Sequence, residues 1–195
     1  ERRLEDVENA IKLVFASIYS PESRAYFNAI DYMIEEEKMA VIIQEVIGNE
    51  HNGRYYPEIS GVAQSYNFYP FSYIQPEDGF AVTAIGLGAY VVGGEKTHRF
   101  SPAYPKLQLA STQAKIKASQ RYFYGVNMLA QDYDLYRDGE NAAIKAYDIS
   151  EAERDGTLEY TASVYDFMND QITYDFSVKG PRIVDFSKIL QYDYF

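Results

Sequence analysis

The chain has 195 residues, a length for one domain with at most an appendage, and 47% of it is apolar, enough for a core and too much for a disordered segment. Lys and Arg number 18 against 29 Asp and Glu; the net charge of −11, with no cluster of cations to offset it, repels nucleic acid and anionic membrane surfaces. Without cysteine there is no disulfide scaffold, thiolate metal site or Cys nucleophile, and two histidines, His51 and His98, cannot make a three-histidine metal site.

Because the chain opens at Glu1 without Met and stops on an apolar residue, it is expected to be a piece of a longer protein. Leu4, Val7, Ile11, Val14 and Ile18 recur at helical spacing and predict an amphipathic helix over Leu4 to Tyr19. Ser20-Pro21-Glu22 restarts a helix, with Ser as N-cap and Pro at the first helical position. That second helix is expected to reach Ile34 and to bury Tyr26, Ile30 and Met33, and the acidic run Glu35 to Glu37 to mark its exit.

Met39 to Ile47 is a near-continuous apolar run closed by Gly48, the pattern of a central strand covered on both faces. It is far shorter than the ~20 residues of a membrane span, and neither a signal peptide nor a transit segment is found, so a cytoplasmic location is expected. The polar stretch Asn49 to Tyr56 is expected to be a loop, and Ile59 to Tyr66 and Phe80 to Ile85 to be strands. Ala110 to Ala118 is expected to cross between elements, and Gln120 to Met128 to hold a strand. Asp132 to Asn141 has the composition of an acidic loop. Ser150 and Glu153 form a short capping box that Asp155-Gly156 would end. Leu158 to Met168 and Gln171 to Ser177 alternate around Asn169-Asp170, a hairpin signal, and a last helical turn is expected from Asp185.

Five of the twelve glycines, at positions 79, 86, 88, 93 and 94, fall in one window around the Phe80 to Ile85 strand, where backbone can approach a neighbour closely. The window is not a dinucleotide fingerprint, because Val91 stands where G-x-G-x-x-G needs its third glycine. Nor is it a P-loop: Gly88 and Gly93 have the right gap, but Lys96-Thr97 arrive two residues late. Asp132, Asp134 and Asp138 fail as a calcium loop, since Tyr136 replaces an oxygen ligand and Arg137 the required glycine. His98 beside Arg99 could touch a phosphate or serve only the fold. The residues by themselves lead to a mixed α/β domain with a glycine-rich strand-to-loop junction.

Several segments taken together resemble a known family. Val41 to Ile47 with Gln44 at its centre, Ser60-Gly61-Val62-Ala63, and Ala84 to Val92 containing Gly86-Leu-Gly88 follow one another in order. They are similar to the V-x-Q-x-M-V, S-G-V-x-F-T and G-L-G-E-x-V-V-x-G blocks of the PEP/pyruvate-binding domain. That domain is the ATP-grasp nucleotide-binding part of phosphoenolpyruvate synthase and pyruvate phosphate dikinase. Upstream, Phe15 to Tyr19 and Arg24-Ala-Tyr26 resemble the family's W-A-S-L-F and R-A-x-x-Y.

The resemblance implies an α+β fold, a partial ATP-grasp domain with a helical pair over residues 1–35, a mixed or antiparallel sheet over 36–130 and an extension with the hairpin over 131–195. It implies that Gln44, Glu45, Val46 and Ile47 lie along the adenine of ATP, and that Gly61, Gly86 and Gly88 let backbone pack close to the nucleotide, with the hairpin outside the site. It assigns this chain no catalytic residue and no metal ligand. Mg²⁺, the remaining ATP-grasp subdomain and a phosphohistidine domain are partners expected in the parent protein, which would phosphorylate an enzyme histidine and then pyruvate or a related acceptor. Two departures weaken the phosphate side: Ala89 stands where the family has Glu after G-L-G, and Gln64 to Asn67 replaces T-x-D/N. The chain alone is therefore expected to be inactive. The alternative is a non-catalytic protein-interaction module with a degenerate nucleotide site.

Overall fold

The computed structural model describes residues 2–31, 33–107, 110–130, 133–139 and 142–190. Two compact units divide the chain, one of Glu1–Val46 with Ala130–Ile144, the other of Ile47–Leu129 with Lys145–Phe195.

In the first unit the predicted N-terminal helix is α1 (Arg2–Ala16), continued by a 3-10 turn at Ser17–Tyr19 that buries Ile18. Helix α2 (Pro21–Ala29) opens as the sequence requires, the Ser20 hydroxyl accepting the Ser23 N–H at 3.1 Å. It stops five residues before the expected end, and Asp31 has left-handed backbone with φ 52°. Tyr26, Ile30 and Met33, expected in a core, are exposed. Periodicity marks an apolar face but does not supply the layer that would cover it. The acidic stretch after Asp132 is not all loop. Asp134 caps a short helix, α3 (Leu135–Asp138), by accepting from the N–H groups of Tyr136 and Arg137. Tyr133 and Tyr136 donate to Asp6 and Asn9 of α1 at 2.8 and 2.9 Å. Asp132 and Asn141, which bounded the predicted loop, lie outside the described residues.

The largest correction is Met39 to Ile47. The expected central strand forms neither strand nor helix, and Ile42 and Ile47 are 81% and 73% exposed. An apolar run specifies that both faces seek cover, not which segment supplies it, and among the described residues no strand pairs with it.

The second unit is built from three antiparallel sheets. The first has the order β1 (Asn49–His51), β2 (Arg54–Tyr56), β5 (Tyr122–Asn127), β6 (Ile144–Asp148), where β6 begins on the last residue of the first unit. The stretch Asn49 to Tyr56 is thus a hairpin rather than a loop. Asn52 and Gly53 both have positive φ, 50° and 78°, the backbone that a tight Asn-Gly turn needs to match the twist of its strands.

The second sheet runs β3 (Ser60–Gln64), β4 (Phe80–Ala84) and the strand His98–Phe100; Ser60 pairs with Ala84 and Gln64 with Phe80. The first two are the predicted strands. The third sheet has β7 (Ala162–Asp166) between β8 (Gln171–Thr173) and β9 (Arg182–Val184). The expected hairpin exists in a different register. Asp166 pairs with Gln171, which leaves a four-residue turn, because the Asp166 carboxylate accepts from the N–H groups of Met168 and Asn169. Leu158–Thr161, expected as strand, is a turn of helix that buries Leu158.

Short helices fill the remaining layers. Ser111 caps Thr112–Ala118, the segment expected only to cross. Asp148, rather than Ser150, caps Ile149–Arg154 by accepting the Ser150 N–H at 2.9 Å. The last helix, Ser187–Leu190, begins two residues after Asp185. One core joins the three sheets: Tyr56, Ile85, Phe123, Leu158, Ala162, Val184 and Phe186 pack together, and the rings of Tyr56 and Phe123 lie 4.6 Å apart.

Candidate functional site

The glycine junction follows from how β4 ends. Past Ala84 the chain turns through Ile85 to Gly88 into a helical turn, Ala89–Val92. Gln120 clamps the turn: its amide oxygen accepts the Ile85 N–H at 2.9 Å, and its amide nitrogen donates to the carbonyls of Ile85 and Tyr122 at 3.0 and 2.9 Å. The Gly86 N–H reaches the Pro57 carbonyl at 3.1 Å and the Leu87 N–H the Tyr124 carbonyl at 2.8 Å. The junction is thereby tied to the first sheet, just beyond β2 and along β5.

Gly61, Gly86 and Gly88 come to one end of the β3–β4 hairpin, but they differ in what surrounds them. Gly86 has φ 87°, and a Cβ there would sit 2.6 Å from the Tyr124 carbonyl oxygen. A Cβ at Gly61 would strike the Val82 carbonyl. Protein backbone therefore requires both glycines whether or not a ligand is present. At Gly88 nothing lies within 4 Å of the missing Cβ. Of the three, only Gly88 has open space.

Beside the junction stands a cluster of tyrosines. Tyr90 is buried, its ring 5.2 Å from Tyr122 and 6.3 Å from Tyr124, and its hydroxyl donates to the Lys96 carbonyl at 3.2 Å. Burial pushes the Tyr90 phenol up to about 12, with Glu95 and Tyr124 adding to the shift. The Tyr122 phenol is raised too, first by its hydrogen bond to Glu95 and then by burial. At neutral pH these phenols hold their protons, which makes them hydrogen-bond donors rather than bases.

Gln44, Glu45 and Val46 end the first unit and Ile47 begins the second. All four are exposed, as are Ile42 and Ile43. The Gln44 amide and the apolar side chains next to it in sequence are thus exposed to solvent. Among the described residues no group of three or more His, Asp or Glu is placed to hold a metal ion. Among them, too, no helix is long and apolar enough to cross a membrane.

Sequence reasoning missed a buried hydrogen-bond network centred on Asp155. Asp155 has a fully buried carboxylate that accepts from Asn52 at 2.7 Å, from Arg54 at 2.6 and 3.1 Å, and from the Tyr56 hydroxyl at 2.8 Å. Arg54, 14% exposed, also meets Glu151 at 3.1 Å. Burial alone would raise the Asp155 carboxyl; the bonds from Arg54, Asn52 and Tyr56 outweigh it and hold the carboxyl below its ordinary range. The signal available in the sequence was the Asn-Gly turn, which sets Asn52, Arg54 and Tyr56 at one end of a hairpin.

The family model for the AMP/ATP-binding domain of pyruvate phosphate dikinase matches residues 2–163. No curated protein and no solved structure matches the chain.

Proposed function

Because the chain belongs to the family of the pyruvate phosphate dikinase AMP/ATP-binding domain, we propose that it forms the adenine-side portion of an ATP-grasp domain. The parent would be a phosphotransferase that moves phosphate from ATP to an enzyme histidine and then to pyruvate or a related acceptor. The family match over residues 2–163 carries this reading. In it, the Gln44 amide and the adjoining backbone hydrogen-bond the base, while Val46 and Ile47 lie against its face; Glu45 belongs to the same contact segment. Gly88 leaves room for the phosphates, and Gly61 and Gly86 act one step back by letting the junction pack.

Phosphoryl transfer rests on electrostatic clamps around the transferring group. Contacts to adenine hold ground state and transition state equally and do not accelerate the chemical step. The chain by itself is therefore expected to bind ATP weakly and to release no phosphate from Mg-ATP above background. Titration with ATP, followed by intrinsic tyrosine fluorescence, tests the binding half, and Gln44→Ala is expected to weaken it by roughly tenfold, the value of one or two neutral hydrogen bonds. Turnover lost on that substitution would overturn the assignment. The exposed aromatic segment Phe68 to Tyr73 favours the second reading, an interaction module. It would be supported if ATP fails to bind.

A further inference from the structure

The second unit contains a cavity of about 320 Å³, bordered by the strand His98–Phe100, the Thr112–Ala118 helix and the stretch from β9 into the last helix. Neither residues 44–47 nor Gly61, Gly86 and Gly88 line it. Phe71, Phe100, Leu107, Ile183 and Leu190 give it apolar walls. An apolar cavity of roughly 150 Å³ holds benzene, so this one has room for about two fused rings.

The charged groups of the lining are already engaged. Arg99 donates to the Asn67 side chain at 2.8 Å and lies over the Phe80 ring. Asp185 accepts from the hydroxyls of Ser163 and Ser187 at 2.8 and 2.9 Å. Lys115 has an interaction of its own within the protein. Neutral groups hold the walls as well: Gln120 is committed to the backbone of Ile85 and Tyr122, and the Ser119 hydroxyl accepts the Val184 N–H at 2.9 Å. A charged ligand would lose its hydration here without a dedicated counter-charge, a far larger cost than burying a neutral one.

His98 has no such commitment. Phe100 stacks on its ring at 5.7 Å and Phe186 tilts against it at 5.9 Å, yet among the described residues neither ring nitrogen makes a hydrogen bond. Burial lowers its proton affinity, which Asp185 opposes and Lys115 reinforces, so the ring is uncharged at neutral pH. A neutral imidazole offers one donor and one acceptor. A hydroxyl both gives and takes a hydrogen bond and so satisfies either tautomer, whereas a carbonyl meets only the donor. The backbone marks the same place. Phe186 has φ 52° between Asp185 and Ser187, both of which line the cavity, and a bulky residue keeps such backbone only where its surroundings enforce it.

We propose that this cavity binds a neutral, flat aromatic molecule of about two rings that carries a hydroxyl group. The hydroxyl pairs with a ring nitrogen of His98, and the rings pack against Phe71, Phe100 and Leu190, where aromatic walls favour a flat aromatic body. The site is separate from the nucleotide segment and does not depend on that reading.

The test titrates the 195-residue chain at neutral pH with naphthol, naphthalene and naphthoate, one body with a hydroxyl, with no polar group and with a charge, by ligand-observed NMR. Naphthol is expected to bind about fivefold more tightly than naphthalene, the net worth of one neutral hydrogen bond, and naphthoate roughly tenfold more weakly than naphthol. His98→Phe, which keeps a ring against Phe100 and removes both nitrogens, is expected to bring naphthol down to the affinity of naphthalene. Ala114→Phe, which places a ring in the cavity from an exposed helix position, is expected to abolish binding of both with an unchanged unfolding midpoint. Excess ATP is expected to leave naphthol bound. The ligand series on the native chain decides the matter even where a variant fails to fold. No binding of naphthol, naphthalene or naphthoate as tight as naphthol, a hydroxyl preference that survives His98→Phe, undiminished binding to Ala114→Phe, or displacement by ATP would each overturn the proposal.

Discussion

Among the described residues, the unit of Glu1–Val46 and Ala130–Ile144 buries one large apolar side chain, Ile18, whereas the unit of Ile47–Leu129 and Lys145–Phe195 buries Tyr56, Ile85, Tyr90, Phe123 and Leu158 completely or nearly so. Apolar residues are plentiful in both. The difference lies in what the chain supplies to cover them. In the second unit, strands distant in sequence return to a shared core, and several of its buried polar groups are hydrogen-bonded. Strand β7 shows this best: it is buried at all five positions although its sequence contains Ser163 and Asp166. Ser163 donates to Asp185, and Asp166 accepts from the turn that follows. In the first unit the apolar stretch Met39 to Val46 has no pairing strand among the described residues. Apolar composition thus proposes burial, and topology decides whether it happens.

The comparison breaks most readily at the Arg54–Asp155 pair. Arg54→Ala strands a buried carboxylate and is expected to cost about 3–5 kcal/mol in urea unfolding. A cost near zero would mean that the second unit does not depend on its buried network. Asp155 also gives a pH signature. Its folded-state proton affinity is depressed, so its contribution is fully present above the unfolded value of about 3.9 and is lost as pH falls through the lower folded value. Below roughly pH 4, the native chain should therefore lose stability more steeply than Arg54→Ala.

Leu158→Ala removes a fully buried side chain from the core and is expected to cost about 2–5 kcal/mol. Ser20→Ala removes a helix cap in the first unit, a loss of about 1 kcal/mol that should register as fraying of α2 rather than as global unfolding. The smallest effect is expected at Ile43, 72% exposed, where substitution by Ala should stay within about 0.5 kcal/mol in the absence of nucleotide. Equal costs for Leu158→Ala and Ile43→Ala would erase the contrast between the units.

What the sequence reveals follows the same division. Local signals are legible: the Ser20 cap, the β3 and β4 strands and the strand inside Gln120 to Met128 form near where the pattern places them, while the hairpin before Gln171 forms with a longer turn than the pattern gave. The Asn52-Gly53 hairpin was written just as locally, but its polar strands hid it, because their burial comes from contacts with Asp155, about a hundred residues away in sequence, rather than from alternation. Non-local outcomes are not legible. Neither the exposure of Ile42 nor the clamp by Gln120 has a signature within a few residues of itself. For the site, Gly61 and Gly86 stood out as glycines, yet only their surroundings distinguish them from the open Gly88.

Amide hydrogen exchange over residues 39–47, with and without excess ATP, tests the central claim most directly: that this open apolar segment around Gln44 is where the nucleotide lies. Fast exchange without nucleotide, slowed by ATP in the native chain but not in Gln44→Ala, is the expected result. Protection already present without ATP, or exchange that saturating ATP leaves unchanged, would contradict it.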